Sequence, residues 1–159
     1  MATIITALAT ACFAFACGIF LTLSYIEKAV WCLMRDPLSA CVDDGEARLV
    51  HAQLKRVICL LPPTMKTTMA SGTLLLLLQA WQLDFAWPAL LVLAFLLLGL
   101  GYPLSQLSER IAAVEGADSE GDIEVVRRGL GQLAALHHMG LFLALGVVVL
   151  QVVVLAMKG

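Results

Sequence analysis

The chain has 159 residues, of which 61% are hydrophobic and 14% are charged, and its formal net charge is −2. A soluble domain of this length carries about 25% charged residues, and a core of this size cannot bury so many apolar side chains. The composition therefore argues against a soluble domain and, lacking an excess of basic residues, against a nucleic-acid-binding protein. We predict an integral membrane protein.

Four apolar runs are long enough to cross a hydrocarbon core of about 30 Å, which takes roughly 20 helical residues. They cover residues 2–26, 57–81, 85–104 and 130–157. The first run has no basic start and is too long for a cleaved signal peptide, and its helix is expected to continue to Arg35. The third run opens at Pro88, a residue that suits a first helical turn. The predicted fold is a single all-α domain, a four-helix membrane bundle with up-down-up-down topology.

Polar residues precede the second and fourth runs, so these helices should extend beyond the bilayer, starting near Asp43 and Ser119. Eight of the ten basic residues lie around the two polar loops, and the positive-inside rule assigns such loops to the cytoplasm. We therefore expect a bacterial inner-membrane protein with both polar loops in the cytoplasm and both termini outside.

The five cysteines fit no zinc-binding spacing, and membrane cysteines are usually small buried hydrophobes. They are Cys12, Cys17, Cys32, Cys41 and Cys59. Cys32 and Cys41 could meet across the first polar loop. The reducing compartment predicted for this loop argues against a disulfide between them.

One face of the second helix carries a series of residues spaced by three or four: His51, Lys55, Cys59, Pro62 and Lys66. The Pro62-Pro63 pair removes two backbone donors and should bend the helix. His51 and Lys55 are expected on a solvated face. Lys66 lies inside the span, where a lysine costs a few kcal/mol unless it is paired or reaches the interface. It therefore either extends to the interface or lines a cavity.

Helical rise predicts that polar side chains from all four helices gather at one level near the loops: Tyr25, Glu27, Lys66, Tyr102, Ser105 and His138. His138 shares a helix face with small residues that permit close helix contact, so it should point into the bundle. His137 is expected at the boundary between hydrocarbon and headgroups. For either histidine, the alternative is a buried ring that only hydrogen-bonds a neighbour.

The stretches GYPLSQLSERIAAVE and RRGLGQLAALHHMG resemble the anthrone-oxygenase-like family of small four-helix membrane proteins. GIFLTLSYIEKAV and LVHAQLKRVICLLPPTM resemble the first two helices of that family. The family carries Asn-x-Pro-Leu-Asn at the end of its third helix and Asn-His-x-Arg in its fourth. The positions that match are Pro103, Leu104 and His138, and those that depart are Gly101, Ser105 and Gly140.

The resemblance implies oxygenation of an anthrone, an activated phenolic ketone, to a quinone without metal or flavin, so no cofactor is expected. This chemistry needs a base for an acidic C–H proton and a donor that holds the enolate. A neutral imidazole suits the base. We expect His138 as this base, with Lys66 and Tyr102 as oxyanion donors. The substrate, an apolar aromatic molecule, would contact Ser105, Glu27, Tyr25 and His137, with Ser105 or Glu27 orienting His138.

Three other functions are compatible with the sequence. A non-catalytic accessory subunit would use the polar residues only to fix helix register, within a homo-oligomer or a complex with other membrane subunits. A haem- or quinone-binding protein could use His51 and His138, since bundled histidines ligate b-type haem. A small transporter would place Lys66 near the midplane, although broken helices in transporters usually accompany internal repeats, and none is evident here.

Overall fold

The computed structural model describes the backbone of residues 2–58, 61–118 and 120–156, and the side chains of this part except 2, 58, 61–62, 102–104 and 107–108. All regular structure within it is helical, which confirms the predicted all-α class. The elements are α1 (Ala2–Ile26), a 3-10 helix (Lys28–Met34), α2 (Asp44–Ile58), α3 (Leu61–Gln82), α4 (Trp87–Gly116) and α5 (Ile123–Ala156).

The first helix ends earlier than predicted, because residues Lys28–Met34 form a 3-10 helix instead of extending α1 to Arg35. In a 3-10 helix, residues three apart lie directly above one another. Glu27, Val30 and Leu33 follow this spacing, and all three are buried. The change of helix type therefore directs this row of side chains towards the protein interior.

The ends of the other helices follow local chemistry. Asp43 caps α2 by accepting a hydrogen bond from the Glu46 amide at 2.8 Å, and Asp122 caps α5 through the Glu124 amide at 2.9 Å. The α5 start predicted near Ser119 falls on a residue outside the described part. The bend predicted at Pro62-Pro63 falls beside residues 59 and 60, which lie outside the described part, between the described ends of α2 and α3.

The long helices alternate in direction. The Gly140 Cα of α5 lies against the Phe20 ring of α1, and Gly131 lies against Leu33, so α1 and α5 run in opposite directions. α1 packs against α3 and α5, and α4 packs against the same two helices. One end of the assembly, which we call the loop end, carries the 3-10 helix, α2 and residues 117–118 and 120–122.

Buried apolar side chains form two clusters along the helix axes. The cluster at the loop end contains Leu23, Val30, Leu33, Val42, Ala47, Val50, Leu54, Val114, Val126, Leu130 and Leu133. The second cluster contains Ala9, Phe13, Ala16, Leu76, Val92, Leu93, Leu96, Leu143, Ala144, Val147 and Val154. On α5, the adjacent residues His137 and His138 fall between the two clusters.

Two of the described helices are long and apolar enough to cross a membrane, by length and composition. They cover Thr3–Ile26, with 24 residues, and Ile123–Ala156, with 34 residues. A shorter apolar helical stretch covers Trp87–Gly101.

A reciprocal amide pair joins α3 to α5 away from the loop end. Gln79 Nε2 donates to Gln151 Oε1 at 3.1 Å, and Gln151 Nε2 donates to Gln79 Oε1 at 2.8 Å. Both side chains are buried. Each amide therefore depends on the other for its hydrogen bonds.

The variant Gln79→Leu should lose about 1 kcal/mol of unfolding free energy, because it leaves the buried Gln151 amide unpaired. The double variant Gln79→Leu/Gln151→Leu should recover most of this loss, since no polar group is then stranded. Thermal unfolding of the four proteins of this cycle in one detergent measures the coupling. Strictly additive effects of the two substitutions would contradict the pairing.

Cys32 and Cys41 form a disulfide, with their Cα atoms 6.5 Å apart. The structure therefore contains the oxidised pair, where separate thiols were expected. A turn at Asp36 reverses the chain, since its carboxylate accepts from the Leu38 amide at 3.0 Å and its carbonyl accepts from the Ser39 amide at 3.1 Å. Cys12 and Cys17 are half-buried free thiols, and Cys59 lies outside the described residues.

His51 is fully buried, so the expectation of a solvated face is wrong for this residue. The reason is that α4 extends far enough to cover α2: His51 Nε2 donates to the Val114 carbonyl at 3.1 Å, and Lys55 Nζ donates to the Ala117 carbonyl at 3.0 Å. Burial lowers the pKa of His51, and the nearby Lys55 charge acts in the same direction, whereas the Val114 bond and Asp118 oppose them.

We expect His51 to make the protein less stable in acid. In the unfolded chain the pKa of a histidine is about 6.5, so below that pH the unfolded state binds a proton that folded His51 resists. The stabilisation is complete above this pH and is lost as the pH falls towards the folded-state pKa. Unfolding of wild type and His51→Gln at several pH values between neutral and mildly acidic should show a weaker pH dependence for the variant. Parallel pH profiles would contradict this assignment.

Candidate functional site

Five polar or aromatic side chains from three elements meet between the two apolar clusters, and we call them the histidine cluster. α1 contributes Ser24, and Glu27 is the first residue after the end of α1. The 3-10 helix contributes Trp31, and α5 contributes His137 and His138. Ser24 and Glu27 are three residues apart, so they occupy one helical face towards α5. On α5, the lack of a side chain at Gly140 lets the Phe20 ring of α1 approach.

Glu27 and His137 form a buried acid–base pair. Glu27 Oε1 lies 2.8 Å from His137 Nδ1, and the two side chains are 0% and 13% exposed. The ring of Phe20 lies beside this pair, 6.4 Å from the imidazole centre. The second carboxylate oxygen, Oε2, is buried and has no hydrogen-bond partner among the described residues. Such an oxygen is costly to leave unsatisfied, which makes it a place for a donor group or a proton.

His138 is held by two hydrogen bonds that define its tautomer. Its Nδ1 lies 2.8 Å from the Ala134 carbonyl oxygen and its Nε2 lies 3.2 Å from Ser24 Oγ. Because a carbonyl only accepts, Nδ1 carries the proton. In the neutral ring, Nε2 is then an acceptor and the Ser24 hydroxyl donates to it. The free electron pair of His138 therefore points at a proton donor.

Trp31 covers this arrangement from the 3-10 helix. Its indole Nε1 donates to the Ser24 carbonyl at 3.0 Å, and its ring meets His138 edge-on, with centroids 5.1 Å apart and planes at 81°. The last carbonyls of an α-helix lack helical partners, so the indole satisfies a group that α1 leaves open. Local sequence patterns gave no sign of Trp31, because its position depends on the change from α-helix to 3-10 helix.

Three other predicted site residues, Tyr25, Lys66 and Ser105, are exposed and do not belong to the histidine cluster. Tyr25 is 75% exposed, with the Lys28 ammonium 5.9 Å above its ring. Successive helical residues are turned by about 100°, so Tyr25 faces away where its neighbour Ser24 faces inward. The side chain of Tyr102 lies outside the described part. Glu27 pairs with His137, and Ser24 takes the place beside His138 that was expected for Ser105 or Glu27.

An apolar cavity of about 970 Å³ lies between α4 and α5, and we call it the α4–α5 groove. Its walls include Trp87 and Phe95 from α4 and Phe142 and Gly146 from α5. Phe142 follows His138 by four residues, one helical turn. The groove therefore runs along α5 to within one turn of the histidine cluster.

The cluster has the components of proton-transfer chemistry: two imidazoles with defined partners, a buried carboxylate and a hydroxyl. Within the part that the structure describes, no group of three or more His, Cys, Asp or Glu side chains could hold a metal ion. His51 packs against α4 and bonds the Val114 carbonyl, apart from the cluster.

Comparison with protein-family models, with curated protein sequences and with solved structures finds no match to this chain.

Proposed function

We propose that the chain is an integral membrane protein in which α1, α3, α4 and α5 cross the bilayer. In the most apolar windows of α1 and α5, only 22% and 33% of the residues are buried. Large apolar side chains face outward along all four helices, among them Leu8, Phe15, Leu74, Leu98 and Phe142. Lipid is a favourable environment for such a surface, and water is not. The basic residues around the loop end favour a location of this end on the cytoplasmic side of a bacterial inner membrane.

We infer that the histidine cluster is an acid–base centre, with His138 as the base. One observation carries this inference: the Ala134 carbonyl holds the proton on Nδ1 of His138, which leaves Nε2 ready to accept another. A backbone carbonyl here has the orienting role that a third group has in catalytic triads. Intramembrane ionisable residues are costly and commonly functional, which favours this role over a purely structural one.

The neighbouring Glu27–His137 pair supports the same chemistry. When His138 takes up a proton, the positive imidazolium needs compensation in a low-dielectric surrounding. The Glu27 carboxylate belongs to the same cluster and keeps one oxygen unpartnered among the described residues. It is therefore available as a counter-charge or as a second proton acceptor.

The reaction that we propose is the oxygenation implied by the family resemblance. His138 removes the acidic C–H proton of an anthrone, the resulting enolate reacts with O₂, and loss of water yields the quinone. In the overall reaction the CH₂ group becomes C=O and one O₂ gives one water. Lys66 and Tyr102, the donors expected from the sequence, lie outside the cluster or outside the described side chains. The Ser24 hydroxyl lies 3.2 Å from His138 Nε2 and takes this role in the proposal.

The α4–α5 groove gives an apolar substrate a route to the cluster. Small-molecule sites have volumes of about 300–1,000 Å³ and mostly apolar walls, and the groove has about 970 Å³ and apolar walls. Phe142 forms part of its wall one turn from His138. A planar aromatic molecule dissolved in the bilayer would reach the base by this path.

Oxygen uptake by the detergent-purified protein with a hydroxyanthrone tests the reaction. His138→Gln should lower the rate at least about 10²-fold, the usual contribution of a general base, and Glu27→Gln should lower it as well. His51→Gln is the matched control, because it removes an imidazole that lies outside the cluster. Unfolding measurements establish that each variant is folded. A His138→Gln protein with full activity, or a wild type without uptake, would contradict the proposal.

A non-catalytic accessory subunit is the second candidate. It is favoured by the close packing of the cluster, in which Ser24 and Glu27 are buried and Trp31 covers His138. Here the polar contacts would fix the register of α1 on α5, and the exposed apolar faces would bind partner subunits. Size-exclusion chromatography with mass analysis in mild detergent decides this, since a stable monomer without co-purifying chains contradicts the accessory role.

A further inference from the structure

The Cys32–Cys41 disulfide closes a short loop at the loop end of the molecule. The two cysteines are nine residues apart. Cys41 is exposed and Cys32 is half-buried, so a thiol from solution can reach the bond. Sulfur accessibility is one of the factors that set the rate of thiol–disulfide exchange.

Residues 35–43, which we call the strap, connect the 3-10 helix to α2. The later half of the strap is fixed to α5 by Arg127, whose guanidinium donates to the carbonyls of Ser39 and Val42 and to the Asp44 carboxylate. Val42 is buried in the loop-end core. The disulfide connects this fixed half of the strap back to the 3-10 helix.

Trp31 is the residue directly before Cys32. Its indole donates to the Ser24 carbonyl and its ring packs edge-on against His138. A covalent bond at Cys32 therefore restrains the segment that holds Trp31 on the histidine cluster. Opening that bond removes the covalent cross-link between the residue after Trp31 and the part of the strap that Arg127 fixes, and leaves only the main chain to connect them.

The redox state of the compartment decides whether such a disulfide is permanent or exchanges with the dithiol. Structural disulfides persist in oxidising compartments, whereas disulfides in the cytosol of mesophiles are usually transient and either catalytic or redox-sensing. The orientation proposed above places the loop end in the cytoplasm. A cysteine pair at bonding distance there is expected to exchange between disulfide and dithiol.

We propose that Cys32 and Cys41 form a redox-responsive latch: the disulfide holds Trp31 against His138, and reduction by cytoplasmic thiols releases it. This inference rests on the proposed function and orientation.

The opening step is an ordinary thiol–disulfide exchange with a cellular dithiol. A thiolate of the reductant attacks one sulfur, the Cys32–Cys41 bond breaks, and the other cysteine leaves as a thiolate that takes up a proton. The second thiol of the reductant then attacks the mixed disulfide and frees the remaining cysteine. The protein gains two electrons and two protons, and the reductant becomes a disulfide. Closure reverses these steps with an oxidised thiol compound.

The first test determines the redox state of the pair in living cells. A variant with Cys12, Cys17 and Cys59 replaced by serine carries only the latch cysteines, and a maleimide mass tag added after rapid acid quenching counts free thiols. We expect the dithiol in untreated cells, the disulfide after a thiol oxidant, and the dithiol again after recovery. A pair that stays oxidised throughout would be a permanent disulfide and would overturn both the latch and the cytoplasmic orientation. A pair that stays reduced after the oxidant would also overturn the latch.

The second test follows Trp31 in the purified protein, with Trp81 and Trp87 replaced by phenylalanine. Reduction should shift the emission of Trp31 to longer wavelength and increase its quenching by iodide, and the variant Cys32→Ser/Cys41→Ser should show the reduced spectrum without any response. Unchanged emission on reduction would overturn the link to Trp31. Neither readout uses oxygen uptake, so a protein that shows both redox responses but consumes no O₂ would refute the proposed reaction and keep the latch.

Discussion

Replacing His137 by alanine is expected to lower the free energy of unfolding by about 1–3 kcal/mol, the usual cost of leaving a buried polar group without its hydrogen-bond partner. The Glu27 carboxylate is 0% exposed and its Oε1 bonds His137 at 2.8 Å. Its other oxygen already lacks a partner among the described residues. Without the imidazole, the whole carboxylate would have to stay buried, take up a proton or pull the end of α1 towards water.

The double variant Glu27→Leu/His137→Leu removes both polar partners and leaves no buried carboxyl group unpaired. Apolar residues that replace both partners of a buried hydrogen bond can be nearly neutral or stabilising, so the double variant should regain most of the stability that His137→Ala loses. Denaturant or thermal unfolding in one detergent measures both proteins. If His137→Ala unfolds like the wild type, the carboxylate is not buried beside the imidazole as described.

Gly131→Ala should cost about 1–3 kcal/mol, the range for overpacking a close contact. A Cβ at this position would overlap the Leu33 carbonyl oxygen and lie 2.7 Å from the Leu33 carbonyl carbon. These are backbone atoms of the 3-10 helix, so no side-chain rotation relieves the overlap. The 3-10 helix would have to move away from α5, and Trp31 would lose its position on His138.

Gly18→Ala is the matched control, since a Cβ there meets nothing within 4 Å. Alanine is the better helix former by about 1 kcal/mol, so this variant should be neutral or more stable. Thermal unfolding gives the difference between the two variants, and Trp31 emission reports the displacement. Equal unfolding temperatures would show that α5 and the 3-10 helix do not approach as closely as described.

The starts of α2 and α4 were predictable, because local chemistry sets them. Asp43 precedes α2 as predicted and caps it, and Pro88 lies in the first turn of α4. The 3-10 helix was not predictable from its sequence. Its backbone packs closely against Gly131 of α5, and local patterns carry no information about that long-range approach.

The sequence predicted several residues of the candidate site, but it did not predict which of their side chains contact each other. The sequence indicated that Glu27 and His138 would lie near one level, and the family resemblance implied a substrate contact at His137. It did not show which histidine meets Glu27, because adjacent helical residues differ by about 100° in direction, and the rotation of α5 against α1 decides between them. The burial of His51 depended in the same way on how far α4 extends over α2.

The Cys32–Cys41 pair was not predictable from the compartment alone. The turn at Asp36 brings the two cysteines to bonding distance, and the redox state of the compartment then determines how long the bond persists.

The absorption spectrum of a hydroxyanthrone bound to the purified protein without oxygen tests the acid–base centre most directly. If His138 removes the C–H proton, the wild type should shift the bound compound to the longer-wavelength band of its enolate at neutral pH, and His138→Gln should bind it in the neutral form. The band should decay when oxygen is admitted. A wild type that binds the compound only in its neutral form, or an equal enolate band with His138→Gln, would contradict the assignment of His138 as the base.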